Sequence, residues 1–479
     1  MTDQARLLRA LLRNDLSSFV QKVFALLQPV TVYLDNWHIR HICWQLQRVL
    51  RDEKRRLVIN MPPRSMKSII VSIAFVAWAM GHDPTRRIIC VSYAEELARK
   101  LSIDTRTVLE SAWFRALFPA LQLTAKRQRN LELTTTLQGY RFASGVGGSV
   151  LGRGADLIVI DDPIKAIDAL SEAGRRHVAE FYGNTLSTRL NDKQTGAIVI
   201  VMQRLHEDDL VGHVLAKEEW EVVSIPAIAT ETKAYQLSDD PDDVYIRPAG
   251  EVLHEEREPL DILEAIRRVQ GSLLFAAQYQ QNPVPADGNV IRRDWLRFYE
   301  TAPSRFDRVI VSWDTASTLE ETSDWSVGTV WGAVGLDYYL IDLVHGRFES
   351  PDLRRQIIAL SARHNADATL IEDTELGRAL EQDLRRSGEL RALRMRPRFD
   401  KQARLLAQSA RFEGGQVYLP REAPWLGDYI AELLAFPNGR HDDQVDSTSQ
   451  ALTYLTNRSL GTQDIVRRDP VRRDVVRRS

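Results

Sequence analysis

Cysteine is almost absent: the 479-residue chain has only Cys43 and Cys90. Without a C-x-x-C pair or a His–Cys cluster, neither a structural zinc site nor a disulfide framework is expected, and a reducing cytosol fits best. Long apolar runs are also missing. None approaches the roughly 18 residues that a membrane span requires, and the opening MTDQARLLRALLRNDLSSF lacks the apolar centre and cleavage site of a signal peptide. The expectation is a protein made and used inside a cell, away from membranes. Charge of one sign is not in excess either, since 63 Lys plus Arg face 65 Asp plus Glu for a formal net charge of −2. That balance neither indicates nor excludes nucleic acid, because a local basic channel can hide within it.

The length allows two or three domains, each with its own core. Residues 1–215 alternate the apolar runs RLVIN, RRIICVSYA, DLIVIDD and GAIVIVMQR with helical stretches. Continuous rather than alternating apolar character marks strands covered on both faces, so a mostly parallel sheet with flanking helices is expected. Residues 216–300 are less regular, and LSDDPDDVYIRPAGE within them reads as an exposed loop in a linker or subdomain. A second α/β pattern fills residues 301–460: RVIVSWD, SVGTVWGAV and DYYLIDLV with short turns, then helices alternating with ATLIED and QVYLP. Antiparallel hairpins followed by helix–strand units are expected there. The last segment, 461–479, contains the arginine-pair repeat VRRDPVRRDVVRRS and is expected to be a basic, disordered tail, with contact to DNA phosphates as the alternative.

Glycine is lacking where it matters most. MPPRSMKSI follows RLVIN and precedes a helical run, the place of a phosphate-binding loop, yet Met61 and Met66 stand where G-x-x-x-x-G-K-[ST] has its glycines. Lys67 and Ser68 supply the lysine and hydroxyl that such a loop offers to phosphate and Mg²⁺, and the backbone of Arg64, Ser65 and Met66 lies beside them. Asp161 and Asp162 end the run LIVIDD, where one carboxylate would organise Mg²⁺ and the other polarise water. The alternative is a strand leaving its sheet for solvent. Arg153, in a glycine-rich stretch, is a candidate arginine finger for its own site or a neighbour's, or a solvated loop residue. Gln203 and Arg204 close GAIVIVMQR, at the strand end that borders the ligand crevice of open α/β sheets, as candidate γ-phosphate sensors. Trp37 and His38 are candidates for holding adenine.

In the second half, Asp314 ends RVIVSWD, Glu372 and Asp373 end ATLIED, and Asp442, Asp443 and Asp446 open the last helix. Each alone reads as a strand end or a helix cap. Three acidic positions on three elements repel one another unless cations neutralise them, which points to a Mg²⁺ or Mn²⁺ pair and phosphodiester hydrolysis. His441 is a candidate base or DNA contact, with a hydrogen-bonding role as the alternative.

PPRSMKS, LIVIDDP, VMQRLHEDDLVG, FAAQYQQNPVPADG, VSWDTA, LIEDTELG and HDDQVDS, in this order, resemble the motifs of the large terminase subunit of tailed bacteriophages, prophages or gene transfer agents. The resemblance implies a P-loop ATPase domain followed by a ribonuclease-H-like nuclease. It also implies that Arg64, Lys67 and Ser68 bind ATP phosphates and Mg²⁺, that Asp161 holds Mg²⁺, and that Asp162 activates water where the family more often has glutamate. Asp314, Glu372 and one or both of Asp442 and Asp443 would bind two metals, with Asp446 one turn further along. The implied activities are ATP-driven translocation of double-stranded DNA into a procapsid and metal-dependent cutting of concatemeric DNA. Implied partners are DNA, the portal protein and a small terminase subunit, in a homo-oligomeric ring on the portal and a monomer when free. The implied location is the host cytoplasm, with transient docking on the procapsid and absence from the mature particle. Rival readings are a helicase-like ATPase fused to a resolvase-type repair nuclease, and an inactive prophage-derived scaffold.

Overall fold

The computed structural model describes residues 3–124, 131–150, 152–283, 289–315, 325–397, 399–439 and 441–459. The chain divides into two compact units, Met1–Ala286 and Asp287–Ser479.

The first unit is built on a seven-stranded sheet. Its strands are β1 (Arg56–Asn60), β2 (Arg87–Ser92), β3 (Glu132–Thr134), β4 (Tyr140–Gly145), β5 (Leu157–Asp161), β6 (Ala197–Met202) and β7 (Glu221–Ser224), ordered β3-β4-β2-β5-β6-β1-β7. All neighbours are parallel except β3 and β4. Successive residues enter different cores: Leu57 and Ile59 pack with Val159, Val199 and Val201, whereas Val58 packs with Ile158, Ile160 and Ile200 on the opposite face. That two-sided burial is why these strands read as unbroken apolar runs. β4 carries the fully buried Arg141 and ends in Ser144 and Gly145, so no such run announces it. Cys43 and Cys90 are free and buried, and burial raises both thiols above their usual range.

Residues 216–300, read in the sequence as a linker or subdomain, are shared between the units. β7 joins the first sheet, and a hairpin of β8 (Lys233–Gln236) and β9 (Val244–Arg247) is followed by helices Leu260–Gln270 and Ser272–Gln278.

The second unit holds β10 (Arg297–Tyr299), β11 (Arg308–Asp314), β12 (Ser326–Val334), β13 (Asp337–Gly346), β14 (Ala368–Glu372), β15 (Ala392–Met395) and β16 (Val417–Pro420), ordered β10-β16-β13-β12-β11-β14-β15. The first three of the central strands, β11 to β13, form the expected antiparallel meander, while β14 and β15 run parallel to β11. Helix Asp443–Ser459 is pinned to β11 and β12 by a buried polar network. The Ser312 hydroxyl donates to Ser447 O at 2.9 Å, the Ser447 hydroxyl to Ser312 O at 2.8 Å, and Gln450 Nε2 to Ser312 Oγ at 2.9 Å. Fully paired networks of this kind fix one register. The arginine-rich segment 461–479 lies outside the described residues. Among the described residues no helix is long and apolar enough to cross a membrane.

Candidate nucleotide and metal sites

The loop Met61–Ser68 leaves the carboxyl end of β1 and enters a helix whose first turns, Ile69–Phe75, are of the wide π type before α-helix Val76–His82. Arg64 and Met66 both adopt left-handed backbone, at φ 58° and 62°. Such conformations cost non-glycine residues about 1–3 kcal/mol and persist where the surroundings enforce them. Positive φ at alternate positions turns successive N–H groups into a concavity suited to an anion. Met66 therefore adopts, under strain, the backbone that the second glycine would supply freely. Lys67 is buried, with Nζ 3.4 Å from Met61 O and 3.4 Å from Asp162 Oδ1.

The strand order puts β6 between β1 and β5, so the ends of three neighbouring strands meet the loop. Asp161 is buried, and its Oδ2 accepts from the Ser72 hydroxyl at 2.6 Å. Burial first and Asp162 second push its pKa up to about 6, against the opposing pull of Ser72, Ser68 and Lys67. Its Oδ1 is buried without a hydrogen-bond partner among the described residues, and Ser68 lies within reach of the carboxylate. A hard cation meets those needs with oxygen ligands, so the residues present fit Mg²⁺. Asp162 also has left-handed backbone, φ 41°, and accepts the Gln203 N–H at 3.2 Å. Gln203 Oε1 is buried and has no hydrogen-bond partner among the described residues.

Three other expected residues are placed differently. Arg204 turns into its own loop, with Nε 2.9 Å from Asp209 Oδ2 and Nη2 donating to His206 O and Glu207 O. Asp209 is buried and caps the helix Leu210–Leu215, so it demands a counter-ion, which occupies the arginine. Trp37 stacks on Tyr245 at 4.9 Å and meets Tyr235 at 4.5 Å, packing against the β8–β9 hairpin instead of standing open to a base. Arg153 donates to both carboxylate oxygens of Glu132 at 3.1 Å and lies 4.1 Å from the Phe142 ring centre. Glu132 and Phe142 belong to β3 and β4, and β2, β5 and β6 intervene before β1. At about 4.8 Å per strand, roughly 19 Å of sheet separates β4 from β1, so in this arrangement Arg153 does not reach its own chain's loop.

His38, by contrast, is buried beside His254, with ring centres 6.3 Å apart. Burial first, then His254 and Arg257, lower its pKa to about 3, so the ring is neutral. Its Nδ1 has no hydrogen-bond partner among the described residues. Arg257, which no motif marked, donates to Arg64 O and so ties this histidine pair to the phosphate loop.

In the second unit, Asp314 closes β11, Glu372 closes the adjacent β14, and Asp442, Asp443 and Asp446 stand at the start of the helix pinned across β11. Burial first, then Glu372, Asp446 and Asp443, hold the Asp314 carboxyl well above its usual pKa. Asp443 is raised in the same direction, again by burial first and then by Glu432 and Asp442. Such mutual repulsion among oxygen donors suits hard divalent cations, so the cluster fits Mg²⁺ or Mn²⁺. Asp373 points away and gathers Arg396 at 2.7 Å and Arg394 at 3.5 Å. His441 is exposed.

Sequence reasoning missed the residues that organise both clusters. Ser72 lies one turn beyond Ser68 on the same helix, a spacing that was there to be read. Glu432 caps the last helix, accepting the N–H groups of Gln444 at 2.6 Å and Val445 at 3.2 Å. Lys401 and Arg404, on helix Lys401–Leu406, reach Asp442, Asp446 and Glu372. Nothing in FDKQAR distinguishes these from surface cations.

Residues 311–455 match the family model of the terminase RNaseH-like domain. No curated protein matches the chain by sequence. Among solved structures, the large terminase of a thermophilic bacteriophage is similar at TM-score 0.53 and 11% identity, over 86% of this chain and 98% of that one. The same protein in complex with ADP gives TM-score 0.50 and 12% identity over the same shares. The large terminase nuclease of the thermophilic phage G20c with bound magnesium is 21% identical over 35% of this chain and 98% of its own, at TM-score 0.28. The family match and the two-part fold thus show a chain that carries a terminase RNaseH-like domain and is similar to the large terminase subunit of bacteriophages.

Proposed function

We propose that the chain hydrolyses ATP to drive double-stranded DNA into a procapsid through its portal, and cuts concatemeric DNA with the carboxylate cluster of its second unit. The observation that carries this reading is the pairing, in one chain, of a strained lysine-bearing loop beside an acid pair with carboxylates gathered from three elements inside a terminase RNaseH-like region. The ADP complex of the thermophilic bacteriophage's large terminase, a protein of the same fold, adds support for a nucleotide.

In the first unit, the amides of Arg64, Ser65 and Met66 surround phosphate, and Lys67 turns from Asp162 to the β- and γ-phosphates. Ser68 and Asp161 would hold Mg²⁺, which supplies neutralisation of phosphate charge. Asp162, released from Lys67, accepts the proton of the attacking water, and Gln203 lies where it senses whether the γ-phosphate is present. His38 offers its free ring nitrogen to the base. Arg153, distant from its own loop, is available only to a neighbouring copy in a ring on the portal. In the second unit, Asp314, Glu372, Asp443 and Asp442 would hold Mg²⁺ or Mn²⁺, which supplies a metal-activated water and charge neutralisation for phosphodiester cleavage. Work of this kind belongs in the host cytoplasm, with a small terminase subunit choosing the site.

The deciding experiment mixes purified protein, ATP, procapsids and linear DNA, then adds nuclease. Protection of DNA that requires all three of ATP, procapsids and this protein supports packaging. Strand separation without procapsids would instead favour a helicase-like repair enzyme, and absence of both ATP hydrolysis and cutting would favour an inactive scaffold.

A further inference from the structure

The carboxylate cluster of the second unit contains two cations of its own. The Asp400 side chain accepts the Ala403 N–H at 2.8 Å and so fixes the start of helix Lys401–Leu406. Lys401 and Arg404, three residues apart, then share one face. Arg404 bridges Glu372 Oε1 at 3.2 Å and Asp446 Oδ1 at 2.8 Å, and its side chain is only 12% exposed. Lys401 Nζ lies 2.6 Å from Asp442 Oδ1 and 2.9 Å from Asp446 Oδ2, but its side chain is 47% exposed. Among the described residues, neither Asp314 nor Asp443 has an ion-pair partner.

We infer that Lys401 is a displaceable counter-ion of the proposed metal site, and that Arg404 is a fixed one that keeps Asp446 out of the ligand set. This rests on the nuclease reading above. The Asp446 side chain is 1% exposed and has one cation on each oxygen; removing the buried arginine would leave charge without compensation. The Lys401–Asp442 contact lies between two partly exposed side chains, 47% and 36% exposed, where an ion pair is worth about 0–1 kcal/mol, so a divalent cation outcompetes it there. Charge balance agrees. Five carboxylates offset Arg404 together with a pair of divalent ions, and the Lys401 charge is surplus once the pair is bound. Binding at Asp442 and Asp443 therefore expels the ammonium from Asp442 and leaves Arg404 holding Glu372 in place. Lys401 and Arg404 are positioning residues in this scheme, acting on metal affinity through the carboxylates.

The test is calorimetric titration of the full chain with Mn²⁺, without DNA or nucleotide, using Asp314→Asn to identify heat from this cluster. Lys401→Met keeps the aliphatic stem and is expected to bind Mn²⁺ about two- to fivefold more tightly, whereas Lys401→Arg stays near wild type. Asp446→Asn in the Lys401→Met background should shift affinity less than about twofold, while Asp443→Asn should cost at least about tenfold. Unchanged or weaker binding by Lys401→Met overturns the inference, as does an Asp446→Asn loss equal to that of Asp443→Asn. If wild type itself shows no Mn²⁺ binding that depends on Asp314, the nuclease reading falls as well, and the two failures are told apart by that control.

Discussion

In the first unit the two acids, Asp161 and Asp162, follow one another at the end of β5 beside one buried lysine; in the second, Asp314, Glu372 and Asp443 come from two strands and a helix, and Lys401 and Arg404 pair with Asp442, Asp446 and Glu372 among them. The first site stores its cost in backbone, through left-handed conformations at Arg64, Met66 and Asp162. The second stores it in electrostatics, through carboxylates pushed towards protonation by burial and by each other. A strained loop answers to residue shape, whereas a crowded cluster answers to charge.

The largest expected effect lies at the second site. Asp314→Asn is expected to lower Mn²⁺-dependent plasmid cutting by roughly three orders of magnitude or more while ATP hydrolysis stays within about twofold; parallel loss of both activities in a folded variant would mean that the sites are not separable. The mirror variant, Lys67→Ala, should reduce ATP turnover by about two to three orders of magnitude and leave cutting intact. Phosphate-release and gel assays on one preparation read both.

A smaller effect concerns pH. An acid whose folded pKa lies above its unfolded value contributes stability below the unfolded pKa and loses it as pH rises through the folded one. With its folded pKa at about 6 against 3.8, Asp161 should cost the nucleotide-free protein stability above pH 6. Asp161→Asn is thus expected to stabilise that form by roughly 2–3 kcal/mol at pH 8 and by nothing measurable near pH 3. Thermal unfolding across pH checks it, and a gain that is the same at both pH values would remove the charge explanation. The smallest effect tests strain. Met66→Val should destabilise by about 1–2 kcal/mol because a β-branched side chain resists positive φ, while Met66→Gly should fall within about 1 kcal/mol of wild type. Equal losses in denaturant unfolding would show that packing of the methionine side chain, not its backbone, dominates.

Legibility followed physical range. RLVIN, LIVIDD and GAIVIVMQR announced buried parallel strands because both faces of each are apolar, and β4 escaped because Arg141 sits near its start and Ser144 and Gly145 close it. Lys67, Asp161 and Asp162 were readable since a loop or a strand end places its own neighbours. Trp37 and Arg204 looked equally available, but Tyr245 and Asp209, far away or on the next turn of chain, had already engaged them. The convergence of Asp314, Glu372 and Asp443 was inferred from strand and helix ends, while Ser447 and Gln450, whose hydrogen bonds hold that helix over β11, carried no recognisable signal.

By itself the sequence determined the two α/β units, the strand ends that carry acid, and the loop with its lysine, because hydrophobic periodicity and strand-end chemistry are local properties. Tertiary structure alone decided that Met66 and Arg64 would be forced into left-handed backbone, that Arg153 would pair with Glu132, and that Lys401 and Arg404 would enter the carboxylate cluster. Those outcomes depend on which distant charge or wall each side chain meets, and Coulomb and packing energies are set by separation in space rather than along the chain.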